Sequence, residues 1–357
     1  MDLMNLDDLN QIQKLDEKGV AVSIDHLPEQ IKQTWDEIQN IEAPKDCALT
    51  KNVVVAGMGG SALGGRITQY LFADQIRGPL EVCTNYKLPN YVGPETLVIL
   101  SSYSGNTEET LEAFYDAQKR GAKIFGISTG GKLTELLKKD NLSCYIFDPK
   151  NNPSGQPRMS LGYSIFSIIS VLSKCSFISI ENEAVEKLIV STQKFVEEFS
   201  TRNPAKQNKA KTLALQLVNK VPIWVTSEHL WGVSHAIKNQ TNENAKTFAN
   251  IFDIPELNHH LLEGLQFPKG AVNLFYFVFC KSELYHERIQ KLYPITIDVI
   301  EKNKYPLSVY ELESKSKLEQ AFELLTFGAY TGFYLSMLNG INPAPIPWVD
   351  YFKDKLK

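Results

Sequence analysis

The sequence predicts an α/β protein with two doubly wound domains, in which parallel sheets are flanked by helices. The chain has 357 residues, enough for two domains of ordinary size. Its short β-rich runs are mostly apolar and alternate with segments of helical length, which is typical of parallel strands covered on both faces. We expect an N-terminal helical extension at 1–45, a first domain at 46–200 and a second domain at 201–357.

The predicted strands of the first domain are short and follow one another at intervals that leave room for helices. They are Asn52–Ala56, Leu80–Thr84, Thr96–Leu100, Lys123–Ile127 and Cys144–Phe147. Helix-length segments lie between them, among them Glu108–Arg120 and Leu133–Lys139. A buried helix is predicted at Ser160–Cys175 and a charged one at Glu181–Phe199, and the polar segment Thr201–Lys211 is the predicted linker.

The same alternation resumes after the linker, so the second domain resembles a degenerate copy of the first. Its predicted strands are Val221–Thr226, Asn273–Cys280 and Ile295–Ile300. Helices are predicted near Leu230–Lys246 and at Leu318–Leu338, and a proline-rich tail, Asn342–Pro347, follows the last of them.

Composition excludes several classes of protein. With 43% hydrophobic and 22% charged residues, the chain has the apolar material that a disordered protein lacks. Its 37 basic and 41 acidic residues give a net charge of −4 and form no basic stripe, which argues against a nucleic-acid partner. No stretch approaches the roughly 20 apolar residues of a membrane-spanning helix, and the N-terminus lacks the pattern of a signal peptide. We therefore expect no membrane partner.

Cysteine usage indicates a reducing compartment. The chain has five cysteines, Cys47, Cys83, Cys144, Cys175 and Cys280. They are odd in number and far apart, and no C-x-x-C pair occurs. The pattern suggests neither a disulfide framework nor a thiolate zinc site. A cytoplasmic location is the expectation that follows.

Glycine is concentrated after the first predicted strand, where five of the 21 glycines fall within Gly57–Gly65. Five glycines exceed what a tight strand-to-helix turn needs, which favours a loop whose backbone approaches a ligand closely. The segment also fits G-x-G-x-x-A, a dinucleotide fingerprint. The acidic residue that such a site needs at the end of the second strand is missing, because Thr84 and Asn85 stand there.

A second polar loop follows the third predicted strand and opens a helix. It reads Ser101-Ser102-Tyr103-Ser104-Gly105-Asn106-Thr107-Glu108-Glu109-Thr110. Asn106 and Glu109 fit a capping box, but capping does not explain the hydroxyls of Ser102, Ser104 and Thr107 around a glycine. Hydroxyls together with free N–H groups at a helix N-terminus form a cradle for a phosphate. A phosphate-binding loop is the prediction favoured here.

Two further segments are unusually polar. In Gln156-Pro157-Arg158-Met159-Ser160 a proline fixes an arginine ahead of a buried helix, so Arg158 is either a rigid cation for an oxyanion or an ordinary surface residue. Eight of the nine residues in Lys238–Lys246 are polar. That segment is therefore either a solvated face or the lining of a polar cleft.

Two of the six histidines, His259 and His260, are adjacent within Pro255–Glu263. Histidine titrates near neutral pH, which suits proton transfer. His260 and Glu263 have the i, i+3 spacing of metal ligands on a helix, but no third ligand is evident. A structural or capping role for the pair is the remaining alternative.

These segments, in this order, resemble the bifunctional phosphoglucose/phosphomannose isomerase family, whose members are built from two sugar-isomerase (SIS) domains. The S-x-S-G-N-T-x-E-T loop alone indicates an SIS domain, which also occurs in glucosamine-6-phosphate synthases and in sugar-phosphate-responsive regulators. Its combination with N-E-N-A-K, P-E-L-N-H and a terminal N-P-x-P followed by a lysine is more specific. His260 departs from the family, which often has asparagine there.

The resemblance implies a fold of two SIS domains and a set of substrate-binding residues. Gly60 and Ser61 resemble the family's first substrate-binding loop. The implied phosphate cradle and binding arginine are Ser102, Ser104, Thr107 and Arg158.

The resemblance also implies the catalytic residues and the reaction. Glu243 matches the family's base, His259 its acid and ring-opening residue, and Lys353 a C-terminal lysine. The implied reaction interconverts glucose 6-phosphate, and mannose 6-phosphate, with fructose 6-phosphate through a cis-enediol. It needs no metal or redox cofactor. A homodimer is implied, because a histidine of the neighbouring subunit completes the site in related isomerases.

Two alternatives remain. A non-catalytic sugar-phosphate sensor would use the same loops, but no effector region is evident in the sequence. An NAD-linked dehydrogenase is opposed by the missing acidic residue and by the second loop's hydroxyls.

Overall fold

The protein has two sheets, each wholly parallel and flanked by helices, as the sequence predicts. The structure is a computed structural model and describes residues 3–356. Over that range the chain divides into two units. The first unit spans residues 26–193, and the second combines residues 3–25 with residues 194–356.

The helices and strands of the first half run from the N-terminus to the helix in which the unit boundary falls. In chain order they are α1 (Leu9–Leu15), α2 (Val20–Asp25), α3 (Leu27–Ile38), β1 (Asn52–Ala56), α4 (Gly60–Leu71), β2 (Leu80–Cys83), β3 (Thr96–Ser101), α5 (Glu108–Lys119), β4 (Lys123–Ser128), α6 (Gly131–Lys139), β5 (Ser143–Ile146), α7 (Leu161–Lys174) and α8 (Asn182–Phe199). The boundary at residues 193 and 194 lies inside α8.

The remaining elements belong to the second unit. They are α9 (Lys209–Gln216), β6 (Val221–Thr226), α10 (Trp231–Asn244), β7 (Asn250–Asp253), α11 (Leu257–Gly264), α12 (Ala271–Leu274), β8 (Phe275–Lys281), α13 (Glu287–Lys302), β9 (Leu307–Glu311), α14 (Lys317–Leu338) and α15 (Pro347–Leu356).

The first unit is built on a five-stranded sheet whose order, over the described residues, is β2-β1-β3-β4-β5. β3 is buried along its whole length, as a strand covered on both faces must be. On one face Val54 and Val98 pack with Phe114 of α5 and Leu133 of α6. The chain leaves β1 in opposite directions to reach β2 and β3, so the carboxyl ends of β1 and β3 flank the crevice where doubly wound folds bind ligands.

The second unit repeats this topology without the fifth strand. Within residues 3–356 its sheet has the order β7-β6-β8-β9, and every pair is parallel. β6 and β8 therefore correspond to β1 and β3. This confirms that the second half is a degenerate copy of the first.

The predicted strand Ile295–Ile300 is wrong, because these residues lie within α13. Their β-branched side chains favour a strand, but burial follows the helical period, with Tyr293, Thr296 and Ile300 inside and Ile295 exposed. The strands that complete the second sheet are β7 and β9. Neither has the continuously buried pattern of β3, which is why the sequence did not predict them.

The described part of the predicted extension 1–45, residues 3–45, is divided between the two units. α3 packs on α7 in the first unit, where the Gln30 amide donates a hydrogen bond to the Met159 carbonyl oxygen at 2.9 Å. α1 and α2 belong to the second unit, where the Tyr330 hydroxyl of α14 donates to the Asp25 carboxylate. The N-terminal segment is therefore part of both cores.

The predicted linker Thr201–Lys211 lies inside the second unit. Asn208 caps α9, and the Lys211 side chain is fully buried. The Lys211 ammonium lies 2.9 Å from the Asp7 carboxylate and donates to the Thr201 carbonyl oxygen at 3.0 Å. One of the polar residues that suggested a linker, Lys211, therefore forms an ion pair with the partly exposed Asp7 inside this unit.

The expectation that the cysteines form no disulfide is wrong, because Cys47 and Cys175 are bonded, with their Cα atoms 5.2 Å apart. They are 128 residues apart in sequence, so no spacing rule indicates the pair. Arg77 joins the same two segments, donating to the carbonyl oxygens of Thr50 and Ser176, each at 2.8 Å.

Between residues 3 and 356, no helix combines the length and apolarity that a membrane crossing requires.

Candidate active site

The glycine-rich turn between β1 and α4 brings its backbone against two other segments of the first unit. A Cβ on Gly57 would lie 2.6 Å from the Ser101 carbonyl oxygen, and one on Gly60 would lie 2.7 Å from the Arg158 nitrogen. Both distances are shorter than real Cβ contacts. Glycine is therefore required where this turn meets the end of β3 and the segment that carries Arg158.

Ser61 ties the two predicted binding loops together. Its hydroxyl accepts a hydrogen bond from the Tyr103 backbone N–H at 2.9 Å, and its carbonyl oxygen accepts one from the Ser101 hydroxyl at 2.9 Å. Ser61 is almost buried. A cavity of about 10 Å³, room for about one water molecule, lies beside Ser61, Tyr103 and Ser164. The two loops form one braced structure at the carboxyl ends of β1 and β3.

In the loop after β3, the hydroxyls form hydrogen bonds within the loop itself at the start of α5. The buried Ser102 hydroxyl donates to Thr107 Oγ1 at 2.9 Å and accepts from the Gly105 N–H at 3.1 Å. The exposed Ser104 hydroxyl accepts from the Asn106 N–H at 3.2 Å. Thr107 is the N-cap of α5, yet its side chain makes no capping hydrogen bond. Hydroxyls thus surround a helix N-terminus that no N-cap side chain closes.

The capping box predicted from Asn106 and Glu109 does not form. Instead of capping α5, the Asn106 side-chain oxygen accepts from the Lys132 N–H of α6 at 2.9 Å. The capping explanation for this loop therefore falls away.

Arg158 is a buried cation, with 1% of its surface exposed, rather than a surface residue. It follows Pro157 in a single 3-10 turn at Pro157–Met159. Its Nη1 donates to the Gln156 side-chain oxygen at 2.7 Å. Asn152 Nδ2 in turn donates to the Gln156 carbonyl oxygen at 3.0 Å and to the Tyr103 hydroxyl at 3.1 Å. The arginine and the loop after β3 therefore share one hydrogen-bonded support.

All six predicted binding residues lie in the first unit, at one end of its sheet. Gly60 touches the Arg158 backbone, and Ser61 contacts the loop that contains the three hydroxyls. The members of this set are Gly60, Ser61, Ser102, Ser104, Thr107 and Arg158. Short donors, a helix N-terminus and a buried guanidinium suit a phosphate dianion.

Glu243 lies in the last turn of α10 in the second unit and is half-buried. The polar segment around it has a local structural role as well. Asn242 Oδ1 accepts from the Ala249 N–H at 3.1 Å, which fixes the chain as it leaves the helix. The Lys246 ammonium donates to the carbonyl oxygens of Asn342 and Pro343, each at 3.1 Å. The N-E-N-A-K segment thus holds the N-P-A-P tail that leads to Lys353.

His259 and Lys353 are both exposed on their helices in the second unit. His259 lies in the first turn of α11, and its backbone N–H donates to the Glu256 carbonyl oxygen at 2.9 Å. Lys353 lies on α15, where every residue from Trp348 to Leu356 is exposed, including 81% of Trp348 and 60% of Phe352.

Comparison with known proteins identifies the family. Residues 206–356 match the family described as bacterial phospho-glucose isomerase C-terminal SIS domain. A bifunctional phosphoglucose/phosphomannose isomerase of Caldicellulosiruptor bescii is 36% identical over 342 residues, 94% of this chain and 98% of that protein. This chain belongs to the bifunctional phosphoglucose/phosphomannose isomerase family. A relative of the same name from Thermoplasma acidophilum is 29% identical over 306 residues, 85% of this chain and 89% of its own.

Solved structures agree with the fold expected for this isomerase family. A hypothetical protein from Thermus thermophilus matches with a TM-score of 0.76 at 16% identity, covering 98% of this chain and 92% of that one. At this identity the likeness concerns the fold alone. With the two parallel sheets it confirms the predicted architecture of two doubly wound SIS-type domains.

Two alternative uses of these residues find no support in the structure of this family member. Glu81 is the second residue of β2 and accepts a hydrogen bond from the Tyr91 hydroxyl at 2.7 Å, whereas the strand ends at Cys83. A dinucleotide ribose would find no carboxylate at that strand end. Over the described part of the chain no three His, Cys, Asp or Glu side chains lie close enough to hold a metal, so His260 and Glu263 have no third ligand there.

Sequence reasoning missed the residues that hold the predicted ones in place. Tyr103, Asn152 and Gln156 link Arg158 to the loop after β3, and Lys246 holds the tail. Tyr103 lies within the polar loop after β3, and Gln156 directly precedes Pro157. Their positions next to predicted site residues could have indicated a supporting role. Burial raises the pKa of the Tyr103 hydroxyl. Nothing in the sequence marks Asn152.

Proposed function

We propose that the protein is an aldose–ketose isomerase that interconverts glucose 6-phosphate and mannose 6-phosphate with fructose 6-phosphate. The observation that carries the proposal is the 36% identity to a bifunctional phosphoglucose/phosphomannose isomerase over nearly the full length of both chains. Every segment on which the resemblance rests is present in the expected order. The reaction shifts a proton between C1 and C2 of the open-chain sugar, and the phosphate remains bonded to C6 throughout.

In the proposed binding mode the first unit holds the phosphate. Support comes from the hydroxyls of Ser104 and Thr107 at the start of α5, whose N-cap makes no capping hydrogen bond with its side chain. Ser102 is fully buried, so its proposed part is to hold Thr107 in position through their 2.9 Å hydrogen bond. Gly60 and Ser61 would present backbone to the sugar. Binding of the remote phosphate positions the reacting carbons.

The second unit supplies the proposed proton-transfer groups. The Glu243 carboxylate takes the proton from C2 of the aldose, the C2–H electron pair forms a C1–C2 double bond, and the carbonyl pair of C1 moves onto O1, which gives a cis-enediolate. A proton then moves from O2 to O1. When Glu243 returns its proton to C1, the electron pair of O2 forms the C2 carbonyl and the double-bond pair forms the new C1–H bond, which gives the ketose. His259 moves the proton of the ring oxygen during ring opening, assisted by Lys353. Arg158 is also buried, so its proposed part is to place a positive charge behind the substrate-binding loops, where it stabilises the enediolate.

The direct test is an isomerase assay with purified protein and fructose 6-phosphate in the presence of a chelator. We expect both glucose 6-phosphate and mannose 6-phosphate as products, at rates that added zinc does not change. Tight binding of fructose 6-phosphate without turnover would favour the non-catalytic sensor instead. A strict zinc requirement would restore the metal interpretation of His260 and Glu263.

We further propose that the active form is a homodimer in which His259 acts in the neighbouring subunit's site. Support comes from the exposure of His259 and from the uncovered apolar side chains of α15. Mixing subunits that carry Glu243→Gln with subunits that carry His259→Ala tests this. A shared site restores up to about a quarter of wild-type activity in the mixture, because half the dimers are mixed and hold one intact site. A site within one chain restores none.

We propose the cytoplasm as the location of this activity, because the proposed substrate is a phosphorylated sugar, although the sequence expectation of free cysteines does not hold throughout. The disulfide between Cys47 and Cys175 is the one bonded pair among the described residues and departs from that expectation. Alkylation of the protein in intact cells, followed by mass spectrometry, determines whether the pair is reduced there. Recovery of activity in the particulate fraction would contradict the proposal.

A further inference from the structure

α11, the helix that carries His259, is held to its unit by very few side chains. In α11, all of which lies in the described range, Leu257 is the only buried residue. The next residue, Asn258, is half-buried, and the two histidines after it are exposed. Successive helical residues point about 100° apart, so whatever fixes Leu257 and Asn258 also sets the direction of His259.

The Asn258 side chain forms a short hydrogen bond to α13. Its Nδ2 donates to Thr296 Oγ1 at 2.6 Å. Thr296 is fully buried, and its hydroxyl donates to the Leu292 carbonyl oxygen at 2.9 Å. A hydroxyl has a single proton, so a Thr296 hydroxyl that donates to Leu292 accepts from Asn258.

The other end of the same amide makes no bond that stabilises it. Asn258 Oδ1 is buried and has no hydrogen-bond partner among residues 3–356. A buried acceptor without a partner is a cost to folding and is uncommon in folded proteins. The Asn258 side chain therefore contributes little net stability through its amide. Its hydrogen bond to Thr296 does fix the orientation of the first turn of α11 relative to α13.

We propose that Asn258 is a positioning residue for His259, acting through its hydrogen bond to Thr296. This inference rests on the proposed function, in which His259 moves the proton of the ring oxygen. Catalysis by proton transfer depends on the placement of the transferring group, and a misplacement of about 1 Å costs up to a hundred-fold in rate. Loss of the bond removes the side-chain hydrogen bond that joins the first turn of α11 to α13.

Thr296→Val tests the proposal, because valine keeps the shape of threonine and removes the acceptor. We expect kcat to fall about ten-fold while the KM for fructose 6-phosphate stays within about two-fold, since the proposed phosphate-binding residues are unchanged. Thr296→Ser keeps the hydroxyl and is the matched control, with kcat within about two-fold of wild type. Equal losses in the two variants, or an unchanged kcat in Thr296→Val, would overturn the proposal.

A double-mutant cycle separates this proposal from the proposed function. If Thr296 acts through His259, the variant His259→Ala loses no further activity when Thr296→Val is added. Additive losses would show that Thr296 acts elsewhere and would refute the positioning role. Full activity in His259→Ala alone would instead refute the assignment of His259. If Thr296→Val does not fold, Asn258→Ala replaces it, because it removes the same hydrogen bond by changing the half-buried donor. The double-mutant cycle is then carried out with Asn258→Ala and His259→Ala.

A readout other than activity comes from the histidine ring itself. In protein with labelled histidine, the His259 signal is assigned by its absence in His259→Ala. We expect Thr296→Val to shift or broaden that signal and Thr296→Ser to leave it in place. An unperturbed His259 signal in Thr296→Val would contradict the positioning role, whatever the kinetics.

Discussion

The two units differ in which side chains bind the N-terminus of the helix that follows their third and corresponding strands. The helices compared are α5, which follows β3, and α13, which follows β8. In the first unit, Thr107 begins α5 without a side-chain capping bond. In the second, the backbone N–H of His286 donates to both oxygens of the Glu228 carboxylate, at 3.2 and 3.1 Å. The His286 ring also caps α13, accepting from the Arg288 N–H at 3.2 Å.

The hydroxyls of the two regions differ in the same way. Ser227 donates to the Ile254 carbonyl oxygen at 2.7 Å, and Ser282 donates to the Gln320 side-chain oxygen at 2.6 Å. Both serines are buried, whereas Ser104 in the first unit is exposed. One topology thus gives a loop open to an anion in the first unit and a loop occupied by its own carboxylate in the second. The fold provides the position, and local side chains decide its use.

The largest expected effect is on proton transfer, for which we propose Glu243, a residue outside both of these loops. Glu243→Gln should lower kcat about a thousand-fold, because the amide cannot accept the substrate proton. The KM for fructose 6-phosphate should change little. Glu263→Gln, an exposed carboxylate in the same unit, is the control and should retain full activity. Undiminished activity in Glu243→Gln would show that the base is another residue.

The next effect tests whether the N-terminal segment supports only the second unit. The Lys211 ammonium, which donates to Asp7, lowers the pKa of the Asp7 carboxyl. Asp7→Asn leaves Lys211 buried without its carboxylate, which should cost about 2 kcal/mol at pH 7, less than a fully buried pair because Asp7 is partly exposed. Hydrogen exchange should accelerate in α9 and α14 and remain unchanged in β1 and β3.

The pH dependence of this ion pair has a definite sign. Because the pKa of Asp7 is lower in the folded state, its stabilisation is complete above the ordinary value of about 4 and is lost as pH falls through the lowered value. The difference in unfolding free energy between wild type and Asp7→Asn should therefore shrink in acid. A difference that stays constant from pH 7 to pH 3 would contradict this account. Denaturant unfolding at several pH values measures it.

A smaller effect tests the open loop of the first unit directly. Ser104→Ala should lower kcat/KM for fructose 6-phosphate about ten-fold, equivalent to about 1.4 kcal/mol, because a hydroxyl that donates to a charged phosphate oxygen is lost. Inhibition by inorganic phosphate should weaken by a similar factor. Ser179→Ala, on the exposed segment before α8, is the control. An unchanged inhibition constant in Ser104→Ala would remove Ser104 from the phosphate site.

The smallest effect tests the occupied loop of the second unit. Glu228→Gln should leave kcat/KM within about two-fold of wild type, since this loop is proposed to bind no substrate. The free energy of unfolding should fall slightly, by about 0.3–1 kcal/mol, because a negative charge at the start of α13 is lost. A large loss of activity would show that the second region also takes part in binding, and the contrast between the two regions would have to be abandoned.

Much of the proposed binding site could be predicted from the sequence because its residues are grouped in short segments. Gly57–Gly65 and the loop after β3 each stand directly after an apolar strand, and both patterns survive in the structure. Arg158 shows the limit of such reasoning. Its burial depends on Gly60, 98 residues earlier in the chain, and on a turn supported by Asn152. Residue type and spacing alone could not decide whether it is buried or exposed.

The error at Ile295–Ile300 has a similar physical cause. β-branched side chains favour strands locally, but packing of Tyr293, Thr296 and Ile300 on one side of α13 outweighs that preference. The predicted linker lies within the second unit for a related reason, because two of its polar residues, Asn208 and Lys211, are buried there and hydrogen-bonded.

The class of the protein, two parallel α/β domains, can be predicted from its sequence, because buried strands and helices each show a pattern within five to twenty consecutive residues. The order of its motifs indicates the family. The folded chain shows in addition which unit α1 and α2 join, that Cys47 bonds Cys175, and that Glu228 binds the N-terminus of α13. Each of these depends on contacts between residues far apart in the chain, and such contacts leave no periodic or compositional trace.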